Sequence, residues 1–363
     1  MSSYISVKKK YLPAGFMVQW HITPKCDQSC LHCYIMGNPE LYKQELTSEL
    51  SLSDCKKIID SIIDFCRIAN AYPAINFTGG DPLLRPDFFE ILEYSALKGV
   101  SLGVMGNPFH LSPEIIKKMK NLNIKDYQVS IDGMEKNHDW MRKPGSFFAT
   151  VEAIKLLKKY GMRSVVMFTL NKNNAQDILS VMELVSGLGV DVFSFARLSR
   201  DLNKDKRLSA IETEFSPAEY RQLLLDIQKK SEELKTSGSK TKFSKKDHLW
   251  KLLLYEQGKF QLEPNPKSQI ISGCHIGRCN LTILGDGTVF ACRRFNSPIG
   301  KMPKQSALEV FTSDKLNFYR QIDKFEKCSR CQLLNYCRGC PAVAFGASGG
   351  NFYAPDPQCW KVD

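Results

Sequence analysis

The cysteines carry the strongest chemical signal in this 363-residue chain. Cys26, Cys30 and Cys33 stand in a C-x3-C-x2-C spacing. Three thiolates that close can wrap an iron–sulfur cubane but leave one iron without a protein ligand, and an open position implies a bound ligand or substrate. A three-cysteine zinc site is the alternative. A second group runs Cys274-x4-Cys279-x12-Cys292, then Cys328-x2-Cys331-x5-Cys337-x2-Cys340, and ends at Cys359. Eight thiolates make two complete sets of four, which suits two fully ligated [4Fe–4S] clusters or two structural zinc sites. Of 13 cysteines none lies between 67 and 273, and such clustering points to metal or redox chemistry rather than disulfide staples. Cys55 and Cys66 lie eleven residues apart on a helical pattern, on nearly the same apolar face as Ile59 and Ile62, and are expected in the core.

The elements that must position these thiols follow from the apolar pattern. Strands are expected at 17–22, 74–78, 100–105, 127–131, 164–170 and 192–196, with amphipathic helices between them. The helical patterns open at Ser51 or Ser53 and after Pro86, Ser112-Pro113, Ser146 and Asn174, where serine, asparagine and proline suit a first turn. Six β–α units in series predict an α/β fold, a partial (β/α)6 barrel over residues 1–200. Residues 201–264 read as a helical connector, with helices at 217–236 and 247–257 around a mobile basic loop. Residues 265–363 read as a small cysteine-rich domain whose runs at 281–284 and 288–291 flank Gly285-Asp286-Gly287 as a hairpin. So little apolar surface would need metal to hold it. The first three cysteines directly follow the first strand, at the barrel mouth where catalytic groups collect.

With this placement the chain resembles the radical S-adenosylmethionine superfamily, which is defined by the C-x3-C-x2-C spacing. The resemblance implies a [4Fe–4S] cluster on Cys26, Cys30 and Cys33 whose open iron binds the amino and carboxylate groups of S-adenosylmethionine. One-electron cleavage of the sulfonium then yields a 5′-deoxyadenosyl radical. Thr78-Gly79-Gly80-Asp81-Pro82 resembles the motif that contacts the methionyl amine, with Asp81 where glutamate is commoner. Ser130-Ile131-Asp132-Gly133 stands where the family uses serine and aspartate near the ribose. Arg142 follows as a candidate catalytic residue, and His32 and Tyr34 are candidates to pack on the adenine. Gly106-Asn107-Pro108 departs from the usual threonine-asparagine-glycine turn, so no role is carried over to Asn107.

The C-terminal array resembles the SPASM-type twin-cluster extension, with x2 in its last interval where x3 is more usual. By that resemblance Cys274, Cys279, Cys292 and Cys340 hold an inner cluster, while Cys328, Cys331, Cys337 and Cys359 hold an outer one. The total is three [4Fe–4S] clusters. Proteins of this kind mostly oxidise peptides or proteins by two electrons, with the auxiliary clusters as acceptors and a flavodoxin or ferredoxin as external donor. The preferred function is therefore maturation of a ribosomally made peptide, by hydrogen abstraction followed by crosslinking or oxidation. Only 25 residues precede Cys26, so leader recognition is expected from a separate protein or from the barrel and connector. Formylglycine formation in a sulfatase is the second choice, because Arg293-Arg294 follows Cys292 where those enzymes place an aspartate base.

Composition bounds the remaining classes. No apolar run suits a signal peptide or a membrane span, so a cytoplasmic protein is expected. The formal charge of +12 invites a zinc-stabilised basic protein on nucleic acid, but no nucleic-acid module or aromatic–basic interleaving appears. Cluster charges of about −2, −2 and −1 would lower the total to roughly +7, with the lysines spread over solvated helix faces.

Overall fold

A computed structural model describes residues 14–200, 206–264 and 270–361. Six parallel strands, β1 (Gly15–Thr23), β2 (Tyr72–Gly79), β3 (Ser101–Met105), β4 (Asp126–Ser130), β5 (Arg163–Leu170) and β6 (Val192–Arg197), lie side by side in chain order. They pair in parallel with helices between them, as in an open partial barrel. The period of two divides each strand between its faces. In β1, Phe16, Val18, Trp20 and Ile22 are buried, while Gln19 lines an inner cavity. In β4 and β5 the same alternation buries Tyr127, Val129, Val166 and Phe168 and turns Gln128, Ser130, Met167 and Thr169 to that cavity.

Helix Leu52–Ala69 shows how the outer layer is specified. Ser51 caps it by accepting from Asp54 N, and one stripe of Cys55, Ile58, Ile59, Ile62, Phe65 and Cys66 is buried. Phe65 meets Phe16 edge-on at 4.8 Å between ring centroids. Both cysteines are thus core residues. Ser146 opens helix Ser146–Lys159 without capping it, since Gly145 holds the cap position and the Ser146 hydroxyl serves the site described below.

Two segments extend the sheet beyond expectation. Within the expected mobile loop, Lys242–Ser244 forms β7, parallel to β6, and Phe243 packs edge-on against Phe193 at 6.1 Å. The hairpin is present as β8 (Asn280–Ile283) and β9 (Thr288–Phe290), followed by β10 (Pro298–Lys301). It joins the barrel, because β8 pairs in parallel with β1 from Met17 to Trp20. Both outcomes have one cause: the outer edges of β1 and β6 carry backbone donors and acceptors that need partners. The result is one ten-stranded sheet, β10-β9-β8-β1-β2-β3-β4-β5-β6-β7.

Arg197, at the end of β6, ties the segments together. Its guanidinium donates to Asp247 Oδ2 at 2.9 Å, to Asp356 at 2.7 and 2.8 Å and to Gln358 Oε1 at 2.6 Å, and it lies over the Tyr220 ring. All three charged groups are buried, so removing the cation strands two carboxylates in a low-dielectric interior. Arg197→Met is expected to lower unfolding stability by about 3–5 kcal/mol in urea titration.

Under the hairpin turn, Glu45 is buried and accepts from Gly285 N at 3.2 Å, while Oε1 has no partner among the described residues. Burial pushes its carboxyl up to about 7, helped by Asp286 and Glu49 and opposed by the Gly285 N–H. Between its ordinary value and about 7 the folded chain holds a proton that the unfolded chain has lost, so stability falls as pH rises through this window. Glu45→Gln is expected to raise the melting temperature at pH 8 and to do much less at pH 5.

Candidate active site at the strand mouths

The loop carrying Cys26, Cys30 and Cys33 is held from below by the turn after β2. Gly80 N donates to Thr23 O at 2.8 Å and Asp81 N donates to Lys25 O at 2.7 Å. A Cβ on Gly79, whose φ is +142°, would stand 2.1 Å from Thr23 O, and one on Gly80 would stand 2.0 Å from Lys25 O. The two glycines therefore serve first the close packing of backbone on backbone. Both also line a cavity of about 300 Å3 at the C-terminal ends of the strands.

All three cysteines line this cavity as free thiols, close enough for each charge to act on the others. Cys26 Sγ accepts from Gln28 N at 3.4 Å and Cys33 Sγ from Met36 N at 3.5 Å, while Arg142 Nη1 lies 3.9 Å from Cys30 Sγ. Burial pushes Cys26 up to about 11 and Cys30 up to about 12. Thiolates in such a place need a compensating cation, and the donor set fits an iron cluster.

Asp132 is fully buried and does not line the cavity. It accepts from Arg142 Nε at 2.6 Å and Thr169 N at 2.6 Å, and its Oδ2 lies 3.6 Å from His32 Nε2. Burial opposes its charge, but Arg142, His32, His138 and the Thr169 N–H outweigh it and hold the carboxyl below its usual range. Its geometry is that of a group that positions Arg142. His138 Nδ1 accepts from Asp132 N at 3.1 Å, which assigns the ring proton to Nε2, 3.1 Å from the Ser146 hydroxyl. Gln28 Nε2 donates to the same hydroxyl at 3.0 Å, so this chain of contacts braces the cysteine loop.

Ser130, His32 and Tyr34 line the cavity. The Tyr34 hydroxyl bonds His21 Nε2 at 2.9 Å, and Arg293 lies over the Tyr34 ring at 5.1 Å. Asp81 is fully buried but absent from the cavity wall. Its Oδ1 accepts from Leu83 N at 3.0 Å, while Oδ2 has no partner among the described residues. Burial pushes its carboxyl up to about 6. Asn107, given no role by its departing motif, reaches the site after all: it lines the cavity, and its Nδ2 donates to Asp27 Oδ1 at 2.6 Å beside Cys26.

The far wall comes from the connector and the C-terminal segment, through Lys246, Arg293 and Arg294. Sequence motifs did not single out these cations as cavity residues, and only the position of Arg293-Arg294 after Cys292 hinted at one. Arg294 Nη1 lies 3.1 Å from Cys340 Sγ, and Nη2 donates to Arg197 O. Cys274 feels the charges of Cys292 and Cys340, so these three lie together. Cys279 shows no such coupling to them. Cys328, Cys331, Cys337 and Cys359 surround a second, much smaller cavity.

Comparison with known proteins agrees with this arrangement. Residues 20–185 match the radical SAM superfamily, and residues 274–341 match SPASM, an iron–sulfur cluster-binding domain. The chain joins a radical SAM domain to a SPASM domain. It is 27% identical over 359 residues to the AdoMet-dependent heme synthase of Methanosarcina barkeri, covering 94% of this chain and 95% of that protein. It is 26% identical over 361 residues to the mycofactocin maturase MftC of Mycobacterium tuberculosis, covering 96% and 83%. Its fold matches Streptococcus suis SuiB bound to the precursor peptide SuiA with a TM-score of 0.76 at 16% identity, over 99% of this chain and 80% of that one. A radical SAM domain binds iron–sulfur and S-adenosylmethionine, so the cavity at its strand mouths is the candidate active site of an enzyme. Among the described residues no helix is long and apolar enough to cross a membrane.

If Gly80 is needed for the loop packing, Gly80→Ala should displace the Cys26 loop. After anaerobic reconstitution it is expected to retain less iron than wild type, approaching a variant with Cys26, Cys30 and Cys33 all changed to alanine.

Proposed function

We propose that this radical SAM–SPASM enzyme matures a ribosomally made peptide by oxidising one of its residues. The carrying observation is that the cavity lined by Cys26, Cys30 and Cys33 is walled on its far side by Arg293 and Arg294 of the SPASM segment, so a substrate there lies between the first thiols and the auxiliary ones. The full-length similarity to a mycofactocin maturase and the fold shared with SuiB support the reading.

In this reading Cys26, Cys30 and Cys33 hold the first cluster, Cys274, Cys279, Cys292 and Cys340 the inner auxiliary cluster, and Cys328, Cys331, Cys337 and Cys359 the outer one. When bound, the first cluster and S-adenosylmethionine supply one-electron cleavage of the sulfonium and hydrogen abstraction from the substrate. Gly79, Gly80, Ser130, His32 and Tyr34 form the binding wall, with Asp81 buried behind the glycine turn. Arg142, oriented by Asp132, keeps a positive charge beside Cys30. Met105, Met167 and Ala196 make part of the wall apolar and help to exclude water. The eight auxiliary thiolates would hold two clusters with no open iron, which would supply an electron acceptor, and in this reading the enzyme works in the cytoplasm with a flavodoxin or ferredoxin as donor of the starting electron. Formylglycine formation fits less well, because Arg293 puts a cation where that reaction calls for a base.

A second reading is a carboxylate-bearing tetrapyrrole as substrate. The cationic far wall and the similarity to a heme synthase favour it.

Three clusters predict roughly 12 irons per reconstituted chain, falling to about 8 when Cys26, Cys30 and Cys33 become alanine. About 4 irons plus zinc would make the C-terminal thiols structural and remove the electron acceptor. With dithionite, S-adenosylmethionine and any small peptide found encoded beside its gene, the enzyme should form 5′-deoxyadenosine and a peptide lighter by two hydrogens. An unchanged peptide together with a turned-over porphyrin would select the second reading.

A further inference from the structure

Five basic side chains line the cavity: Arg142, Arg197, Lys246, Arg293 and Arg294. Three are engaged. Arg142 pairs with Asp132, Arg197 with Asp247 and Asp356, and Arg294 lies on Cys340 Sγ and donates to Arg197 O. Lys246 and Arg293 form no ion pair with a carboxylate among the described residues. Each is placed by a different element. Lys246 sits two residues beyond β7, at the mouth of the strand that the connector adds to the sheet. Arg293 follows Cys292, lies over the Tyr34 ring and lines the cavity.

Lys246 is an exposed residue that also borders the cavity. Burial first, then Arg294 and Arg293, push its ammonium down to about 8. Two cations at one cavity repel each other, and an anion between them relieves that cost. A carboxylate suits the pair, since a guanidinium offers a planar fork and an ammonium a point charge.

We propose that Lys246 and Arg293 grip a carboxylate of the substrate on the SPASM-facing wall, so that the enzyme selects an acidic substrate. This rests on the function proposed above and narrows its substrate class. The carboxylate can come from an aspartate, glutamate or C-terminus of a peptide, or from a propionate of a tetrapyrrole.

The test uses reconstituted full-length enzyme in two anaerobic binding arms. In one, a displayed random hexapeptide library is selected on the enzyme and scored for Asp and Glu over Asn and Gln. In the other, haem and its dimethyl ester are titrated and followed by the Soret band. Wild type is expected to prefer the acidic form at least tenfold in one arm, and that arm names the source. Lys246→Met and Arg293→Gln should each lose most of this preference, while Lys246→Arg and Arg293→Lys, which keep the charge, retain part of it. The charge-keeping pair also covers the case in which a neutral variant fails to fold. A preference absent from both arms, or surviving in the double neutral variant, overturns the inference. So does a neutral variant whose main loss is binding of radiolabelled S-adenosylmethionine, because the pair would then serve the cofactor. Formation of 5′-deoxyadenosine by wild type is scored separately: its absence sinks the radical reading, whereas its presence without an acidic preference sinks only this inference.

Discussion

The site depends on one buried ion cluster. Arg197 closes β6, and its guanidinium is shared by Asp247 of the connector and Asp356 near the C-terminus. Asp356 in turn accepts from Cys340 N at 2.7 Å, and Arg294 bridges Cys340 Sγ to the Arg197 carbonyl. The wall facing the first cysteines is thus pinned by charge–charge geometry, alongside the apolar core that the connector and C-terminal segment share with the barrel. Burying such a cluster contributes little net stability, because desolvation offsets much of the attraction. What it supplies is registry: neither carboxylate can move without being stranded, so Lys246 and Arg294 keep their place against the barrel.

The opposite wall is held by backbone. Glycine at 79 and 80 lets the β2 turn approach the cysteine loop within distances that no side chain allows, and two N–H···O bonds then fix the loop. Around it, Asp132 aims Arg142, while His138, Ser146 and Gln28 connect helix 146–159 to the loop. Residues read from sequence as ligand contacts are thus divided between those that face the cavity and those that orient a neighbour. Asp132 belongs to the second kind.

Much of this was legible in the sequence because its signals are local. Short apolar runs marked β1 to β6, and thiol spacing marked the two cysteine groups, while their division into ligand sets came from the resemblance. What stayed hidden depends on tertiary neighbours. β7 is three residues long and exists because β6 offers an open edge. The hairpin was visible from its turn, but its docking on β1 was not, since no local pattern names a partner strand. Lys246 is exposed, as its run of lysines implied, but nothing in that run says that it also borders a cavity. Asn107 was set aside on a motif mismatch, although its side chain still reaches Asp27 beside Cys26.

The pairing of β8 with β1 also bears on synthesis. A chain leaving the ribosome presents β1 early, with β2 soon after to cover one edge. Its other edge stays open until residues 280–283 emerge. A parallel strand waiting that long is a template for wrong partners, and closing so long a loop is slow. The cysteines of the first loop are made early, whereas the C-terminal cysteine group is complete only with Cys359. The order of translation therefore separates the two cysteine groups in time, and the later one arrives with the strand that seals the sheet.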